Sequence, residues 1–262
     1  MSIWFGVLRK RVKLTGYIET QAPLHIGIGR ALGATGSDLP IMTDLTGRPI
    51  IPGSSFKGAL RSQVEALIRG LNASGNRSLW SCDVVAEQWC IRNKQDWERD
   101  PQFILLKACD VCKLFGGPYV ASKVFISDMA ATDETWHSSM LQVRDGVAIH
   151  RESLTARHRG KFDFEIISPG VRFSMDIVLD NPEDYETGLL MRALDLFNDG
   201  FAFLGGQNSR GTGKIKVVVE QSHEVTPEAF LKQQGVTQLT AMNPETYLMA
   251  LREKISGGKA HR

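Results

Sequence analysis

Residues 45–61 read LTGRPIIPGSSFKGALR, and the reading of this stretch decides the fold. Pro52-Gly53 signals a turn, after which Ser54 or Ser55 is placed to cap a helix. Phe56, Leu60, Val64 and Leu67/Ile68 recur at helical spacing and make one apolar face. Lys57 and Arg61 are four residues apart and share a different face. A helix start offers free N–H groups and the positive end of the backbone dipole. With two hydroxyls and a lysine beside it, it suits a phosphate. The same features also describe an ordinary capped amphipathic helix.

Outward from this helix, Val12–Thr20 alternates apolar and polar residues as a strand with one buried face. Residues 22–38 carry Gly27, Gly29, Gly33 and Gly36, the density of a loop that passes close to something or is simply flexible. Short extended pieces at 41–44 and 49–51 flank a turn at Thr46-Gly47. Beyond the helix, 72–107 is polar and irregular and holds Trp80, Trp89 and Trp97, which reads as an insertion with its own small fold. Lys123–Met129 is a strand. Segments 146–155 and 161–167, joined by the basic link ARHRG (156–160), form a protruding hairpin. Val171–Leu179 is a strand and Tyr185–Gly200 a helix burying Leu189/Leu190, Ala193, Leu194 and Phe197. A second glycine loop, Phe203–Lys214, leads to the strand Ile215–Glu220. The order is α+β and fits a ferredoxin-like βαββαβ core over 1–71 and 113–220, with a hairpin at about 146–167. Residues 72–112 form the insertion, and 221–262 a tail with short helices at 227–234 and 244–255.

A chain of 262 residues is one large domain or two small ones, and no run of 18 apolar residues predicts a membrane span. The N-terminus, MSIWFGVLRKRVKL, has its basic residues after its apolar run and so lacks the order of a signal peptide. A cytoplasmic protein is expected. A net charge of +2 neither demands nor excludes nucleic acid. The four cysteines suit metal or thiol chemistry better than a disulfide framework.

Those cysteines are the most specific local signal. Cys109-x2-Cys112 is the knuckle of a tetrahedral thiolate site, and Cys82-x7-Cys90 is an unusually wide first pair. Four protein ligands leave no open position, so a zinc ion there is structural, standing in for a hydrophobic core; four free thiols are the alternative. The loop GGQNSRGTGK (205–214) combines backbone N–H groups, small polar side chains, Arg210 and Lys214, a chemistry that cradles phosphate or RNA backbone. It is not a Walker loop, because Lys214 is followed by Ile215. Asp38 and Asp44 lie in or beside the first glycine loop, where a lone aspartate is ordinarily a turn residue. His25, in PLHIG, is a core histidine, a phosphate donor or a base. His150 and His158, with Arg151, Arg157, Arg159 and Lys161, make the hairpin basic, as suits nucleic acid or any solvated loop.

Taken together, PLHIG, a glycine-rich loop ending in GSD, LTGRPIIPGSSFKGALR, CDVCKLFG, RHRGKFDFEI and LGGQNSRGTGKI resemble the RAMP superfamily of CRISPR proteins over about residues 10–220. Within it they resemble the repeated backbone subunit of type III antiviral effector complexes, of the Csm/Cmr kind. The four-cysteine insertion is similar to that of subtype III-D. The resemblance implies an RRM-like core stacked along a guide (CRISPR) RNA beside further copies of itself and other type III subunits. It also implies a thumb hairpin that pushes into the guide–target duplex, and an endonuclease acid that cleaves the complementary target RNA with Mg²⁺ or Mn²⁺. By motif position that acid is Asp38, either binding the cation or orienting the attacking 2′-hydroxyl. His25, Ser54, Lys57 and Arg61 match guide-facing positions, Arg210 and Lys214 touch the same backbone, and Arg157, His158 and Arg159 belong to the thumb. Recognition by base pairing asks the protein only for backbone contacts, which glycine loops and scattered cations supply. Two alternatives stay open: the same binding module without cleavage, and a metal-independent guide-processing ribonuclease of the superfamily.

Overall fold

The computed structural model describes residues 6–29, 37–83, 86, 88–91, 107–232 and 240–257. Gly33 and Gly36 of the first glycine loop, Trp97 of the insertion and the end of the tail lie outside these residues, as does the side chain of Arg159.

The centre is a five-stranded antiparallel sheet in the order β3-β7-β1-β8-β9, built from β1 (Arg11–Thr20), β3 (Val124–Ile126), β7 (Arg172–Asp180), β8 (Ile215–Val225) and β9 (Thr240–Ala241). Val12, Leu14 and Ile18 of β1 and Phe173, Met175, Ile177 and Leu179 of β7 point to one face, as the period of two requires, and are buried there. That face is covered by α1 (Gly53–Ala73) and α3 (Asp184–Asn198), which meet through Phe56 and Phe197, ring centroids 5.7 Å apart. All the apolar positions expected of α3 are buried, and on α1 Phe56, Leu60, Val64 and Ile68 are buried while Leu67 is not.

The start of α1 differs from expectation. Pro52 holds the N-cap position and neither serine caps; instead the Gly53 N–H donates to Asp128 Oδ1 at 2.8 Å. The reason is crowding. A methyl group on Gly53 would stand 2.1 Å from the Ile126 carbonyl oxygen, so the helix begins against the end of β3, and a carboxylate from there reaches the first amide. Beyond β3 the chain makes a small two-stranded ribbon, β2 (Ile50–Ile51) with β4 (Met129–Ala130), rather than one strand through Met129.

The hairpin is longer than expected, and the basic run is not its link. Its strands are β5 (Leu141–Ile149) and β6 (Ala156–Ile167), with the turn at 150–155. Leu154 takes the left-handed conformation of that turn, φ 53°. The run 156–160 lies within β6.

The cysteine segment shares the main core. Leu79, Cys82, Cys109, Val111, Cys112, Leu114 and Phe115 belong to the same buried cluster as the sheet and helices, and among the described residues Ile91, Ala108 and Val120 form a satellite. Helix α2 (Asp110–Phe115) is tied to the chain around it by Asp110, whose carboxylate accepts from the Trp80 amide at 2.9 Å and the Tyr185 hydroxyl at 3.0 Å. The residues after 220 are also built in. Strand β8 runs on to Val225, a short helix α4 (Pro227–Lys232) follows, and α5 (Pro244–Ser256) lies against α3 with Tyr247 and Leu251 buried. The contact is close enough that a methyl group on Gly188 would meet the Tyr247 carbonyl at 2.3 Å.

Candidate nucleic-acid interface

Three segments converge beside the start of α1. The stretch Pro23–Gly29, the first turns of α1 and the loop 203–206 line an open pocket of about 500 Å³, bounded by His25, Gly27, Leu39, Ser55, Phe203 and Gly206 among others. His25 is buried. Its Nδ1 lies 2.6 Å from the Glu165 carbonyl on β6, and its ring meets Phe164 edge-on at 5.9 Å. The second glycine loop closes onto it: the Gly206 N–H donates to the His25 carbonyl at 2.8 Å, and Gly205, at φ 82°, leaves no room for a side chain there. The loop braces itself through the buried Thr212 hydroxyl, which donates to the Gly206 carbonyl at 2.7 Å.

The expected site residues divide. Ser54, Arg210 and Lys214 are exposed, and Arg210 stacks its guanidinium 5.6 Å from the Phe162 ring of the hairpin. Arg157 and His158 are exposed on β6. Lys57 and Arg61 face inward. Lys57 donates to Ser122 Oγ at 2.7 Å and to the Val124 carbonyl at 2.9 Å, and burial, then the charge of Arg61, push its ammonium below the ordinary value. Arg61 donates to Glu65, to the Gly116 carbonyl at 2.7 Å and to the Cys112 sulfur at 3.6 Å.

Asp38 is half-buried at the base of the hairpin, next to Leu39 on the pocket wall. Its amide donates to Asp163 Oδ1 at 2.6 Å, and the Asp163 amide donates back to Asp38 Oδ2 at 3.1 Å. The Ser37 hydroxyl adds a bond to Asp163 Oδ1 at 2.8 Å. The Asp38 amide and Ser37 hydroxyl hold the Asp163 carboxyl below its usual range. Asp163 and Glu165 are the residues that sequence reasoning missed. The signal was present in KFDFEI (161–166), where two phenylalanines alternate with two acids, so both acids face one side of the strand. Asp44, by contrast, is a turn residue, accepting from Thr46 and the Arg48 amide, and the Thr46 hydroxyl lowers its pKa.

The hairpin carries exposed Val143, Val147, Ile149 and Leu154 along with its cations. A nine-residue strand such as β5 spans roughly 30 Å at the usual rise.

The sulfurs of Cys82, Cys90, Cys109 and Cys112 all lie within 4.8 Å of one another and could hold a metal ion. Cys82 Sγ is 3.6 Å from both Cys112 Sγ and Cys109 Sγ. In a tetrahedral thiolate site the sulfurs stand about 3.8 Å apart, so the spacing and the donor set fit. Burial pushes the Cys82 thiol up to about 12, while bonds from the Cys112 and Cys90 thiols hold Cys109 down. Four thiolates so close would repel one another, and a bound cation is what would relieve them.

A family model described as the RAMP superfamily matches residues 17–216. Among curated proteins, the chain is similar to the CRISPR system Cms endoribonuclease Csm3 of Methanocaldococcus jannaschii, 26% identical over 221 residues (80% of this chain, 79% of that one). It is similar to the protein of the same name from Streptococcus thermophilus, 27% identical over 224 residues (78% and 86%). The fold is similar to a chain in the crystal structure of the Csm3-Csm4 subcomplex of the type III-A CRISPR-Cas interference complex, TM-score 0.54, 19% identical, covering 94% and 97%.

Proposed function

Because the chain belongs to the RAMP superfamily, we propose that it is a backbone subunit of a type III CRISPR effector complex that grips guide RNA and cleaves the paired target RNA at Asp38. One observation carries this reading: Asp38 is held at the base of the hairpin directly before Leu39, which lines the pocket where His25, the start of α1 and the second glycine loop meet. The strand order β3-β7-β1-β8, with α1 and α3 on one face, supports a ferredoxin-like core.

Guide binding uses the pocket and the glycine loop. Ser54, Arg210, Lys214 and the His25 edge meet the sugar-phosphate backbone, while base pairing supplies sequence. Lys57 and Arg61 serve the same surface from behind by fixing α1 against the 116–124 segment. Arg157 and His158 are exposed along the thumb and meet the duplex backbone; Arg159 follows them on the same strand. Guide RNA, target RNA, further copies of the chain and other type III subunits are the partners. The curated relatives are named endoribonucleases and the structural relative is a two-subunit complex, which supports both the activity and the assembly.

Cleavage proceeds by attack of the 2′-hydroxyl on the adjacent phosphorus, with departure of the 5′-oxygen. Asp38 acts at the reacting atoms: its Oδ2 is held by the Asp163 amide, and Oδ1 has no protein partner among the described residues. Hard divalent cations take oxygen ligands, so this carboxylate fits Mg²⁺ or Mn²⁺, which would supply charge neutralisation at the phosphate. The four cysteines would hold a structural Zn²⁺.

The test is cleavage of labelled complementary RNA by the assembled, guide-loaded complex in Mg²⁺. Wild type is expected to give regularly spaced cuts, and Asp38→Ala to bind without cutting. Equal cutting by both would move the nuclease elsewhere; binding without cutting by both would leave a scaffold subunit.

A further inference from the structure

The segment that carries Asp38 is part of the hairpin. Leu39 makes a parallel bridge to Phe164, and the Glu165 amide donates to the Leu39 carbonyl at 3.0 Å. The Ile41 amide donates to Glu165 Oε2 at 2.9 Å. Residues 37–41 are therefore tied to the base of β6 by one isolated bridge and by hydrogen bonds on either side of it. On the same strand, Leu24 bridges Ile167 and His25 meets the Glu165 carbonyl, so the pocket is referenced to β6 too.

At the start of this segment side chains make the hydrogen bonds to β6. Asp163 Oδ1 takes both the Asp38 amide and the Ser37 hydroxyl, while the Asp163 amide fixes one oxygen of Asp38. A carboxylate that accepts from the backbone of one aspartate, whose own side chain accepts in return, sets both the position and the rotation of that aspartate. A misplacement of about 1 Å at a reacting centre costs about 100-fold in rate.

We propose that Asp163 is a positioning residue for RNA cleavage: it clamps residues 37–38 to the base of the thumb, so that the hairpin's placement in the guide–target duplex sets where the Asp38 carboxylate stands. This rests on the reading that Asp38 acts on the RNA. Asp163 is not assigned contact with substrate; it acts through Asp38.

The experiment compares assembled, guide-loaded complexes carrying wild type, Asp38→Ala, Asp163→Ala and Asp163→Asn. Target affinity is measured in one assay and single-turnover cleavage at saturating complex in another. An asparagine still presents Oδ1 to the Asp38 amide and the Ser37 hydroxyl; an alanine does not. The expected result is that Asp163→Ala cuts about 100-fold slower with unchanged target affinity, while Asp163→Asn stays near the wild-type rate. A merely structural role would show in assembly or affinity and would leave the rate of intact complex untouched. Wild-type cutting by Asp163→Ala overturns the proposal, and so does an Asp163→Asn rate as low as the alanine's, since charge and not the clamp would then matter. If Asp163→Ala does not assemble, the rate of Asp163→Asn decides alone. Should Asp38→Ala cut normally, the underlying reading fails; an inactive Asp38→Ala beside a fully active Asp163→Ala sinks only the clamp.

Discussion

Replacing Gly205 by alanine, beside the same change at Gly211, isolates what the second glycine loop does for the pocket. Both glycines have the left-handed backbone, φ 82° and 85°. A methyl group on Gly211 meets nothing within 4 Å, so the cost there is conformational alone, about 1 kcal/mol. On Gly205 the methyl would stand 2.3 Å from the His25 carbonyl oxygen. The loop must move off His25, losing the Gly206–His25 bond, worth about 1 kcal/mol. Overpacking adds about 1–3 kcal/mol. The two variants should thus differ by about 2–4 kcal/mol, which at this chain length separates their melting temperatures by roughly 4–16 °C. Guide RNA retained on the purified protein, read by absorbance ratio and salt titration, should fall for Gly205→Ala and hold for Gly211→Ala. Equal melting temperatures and equal RNA retention would refute the claim that loop and histidine form one surface.

The buried pair Lys123–Glu186 (2.6 Å) gives a pH-dependent test. Burial raises the Glu186 pKa above 4.5, so its stabilising share is complete below that pH and is lost as pH rises through the folded value; Lys123 opposes the loss. Lys123→Met should cost about 3–5 kcal/mol at pH 8, and the melting-temperature gap to wild type should narrow as pH falls toward 5. A gap constant with pH argues against an ionised Glu186. Arg61→Ala should lower thermal stability while leaving the salt slope of RNA binding unchanged, whereas Arg210→Ala should reduce that slope by about one; parallel titrations separate them. Cys109→Ser should lower metal content by elemental analysis and destabilise the chain, because the cluster lies in the main core.

Much of the fold was legible because its periodicities are local. The buried faces of α1 and α3 and the alternation of β1 and β7 follow from spacing alone. What was not legible depends on distant partners. Asp128 caps α1 from 75 residues away, so the serines at its start looked like caps. Lys57 and Arg61 read as phosphate ligands because the sequence does not show the carbonyls of Val124 and Gly116 that accept their hydrogen bonds. The run ARHRG looked like a turn from its charge, while the true turn uses Leu154 at positive φ, a residue that carries no such cue. Of the candidate site, the glycines stood out locally, while Asp38 reads as a turn residue and is singled out only by the family resemblance. Asp163 did not stand out, since its meaning is a pairing across 125 residues.

The segment 37–41, tied to β6, defines what can be exchanged between relatives. A chimera that swaps only the protruding hairpin, 141–167, would set a foreign strand against the native 37–41 segment and break the Leu39–Phe164 bridge and the hydrogen bond from the Ile41 amide to Glu165. The graft that preserves these contacts carries 37–41 and 141–167 together. In that sense two pieces of chain more than a hundred residues apart are one inheritable module, and changes that lengthen or re-aim the hairpin must be matched in the short segment that bears the acid.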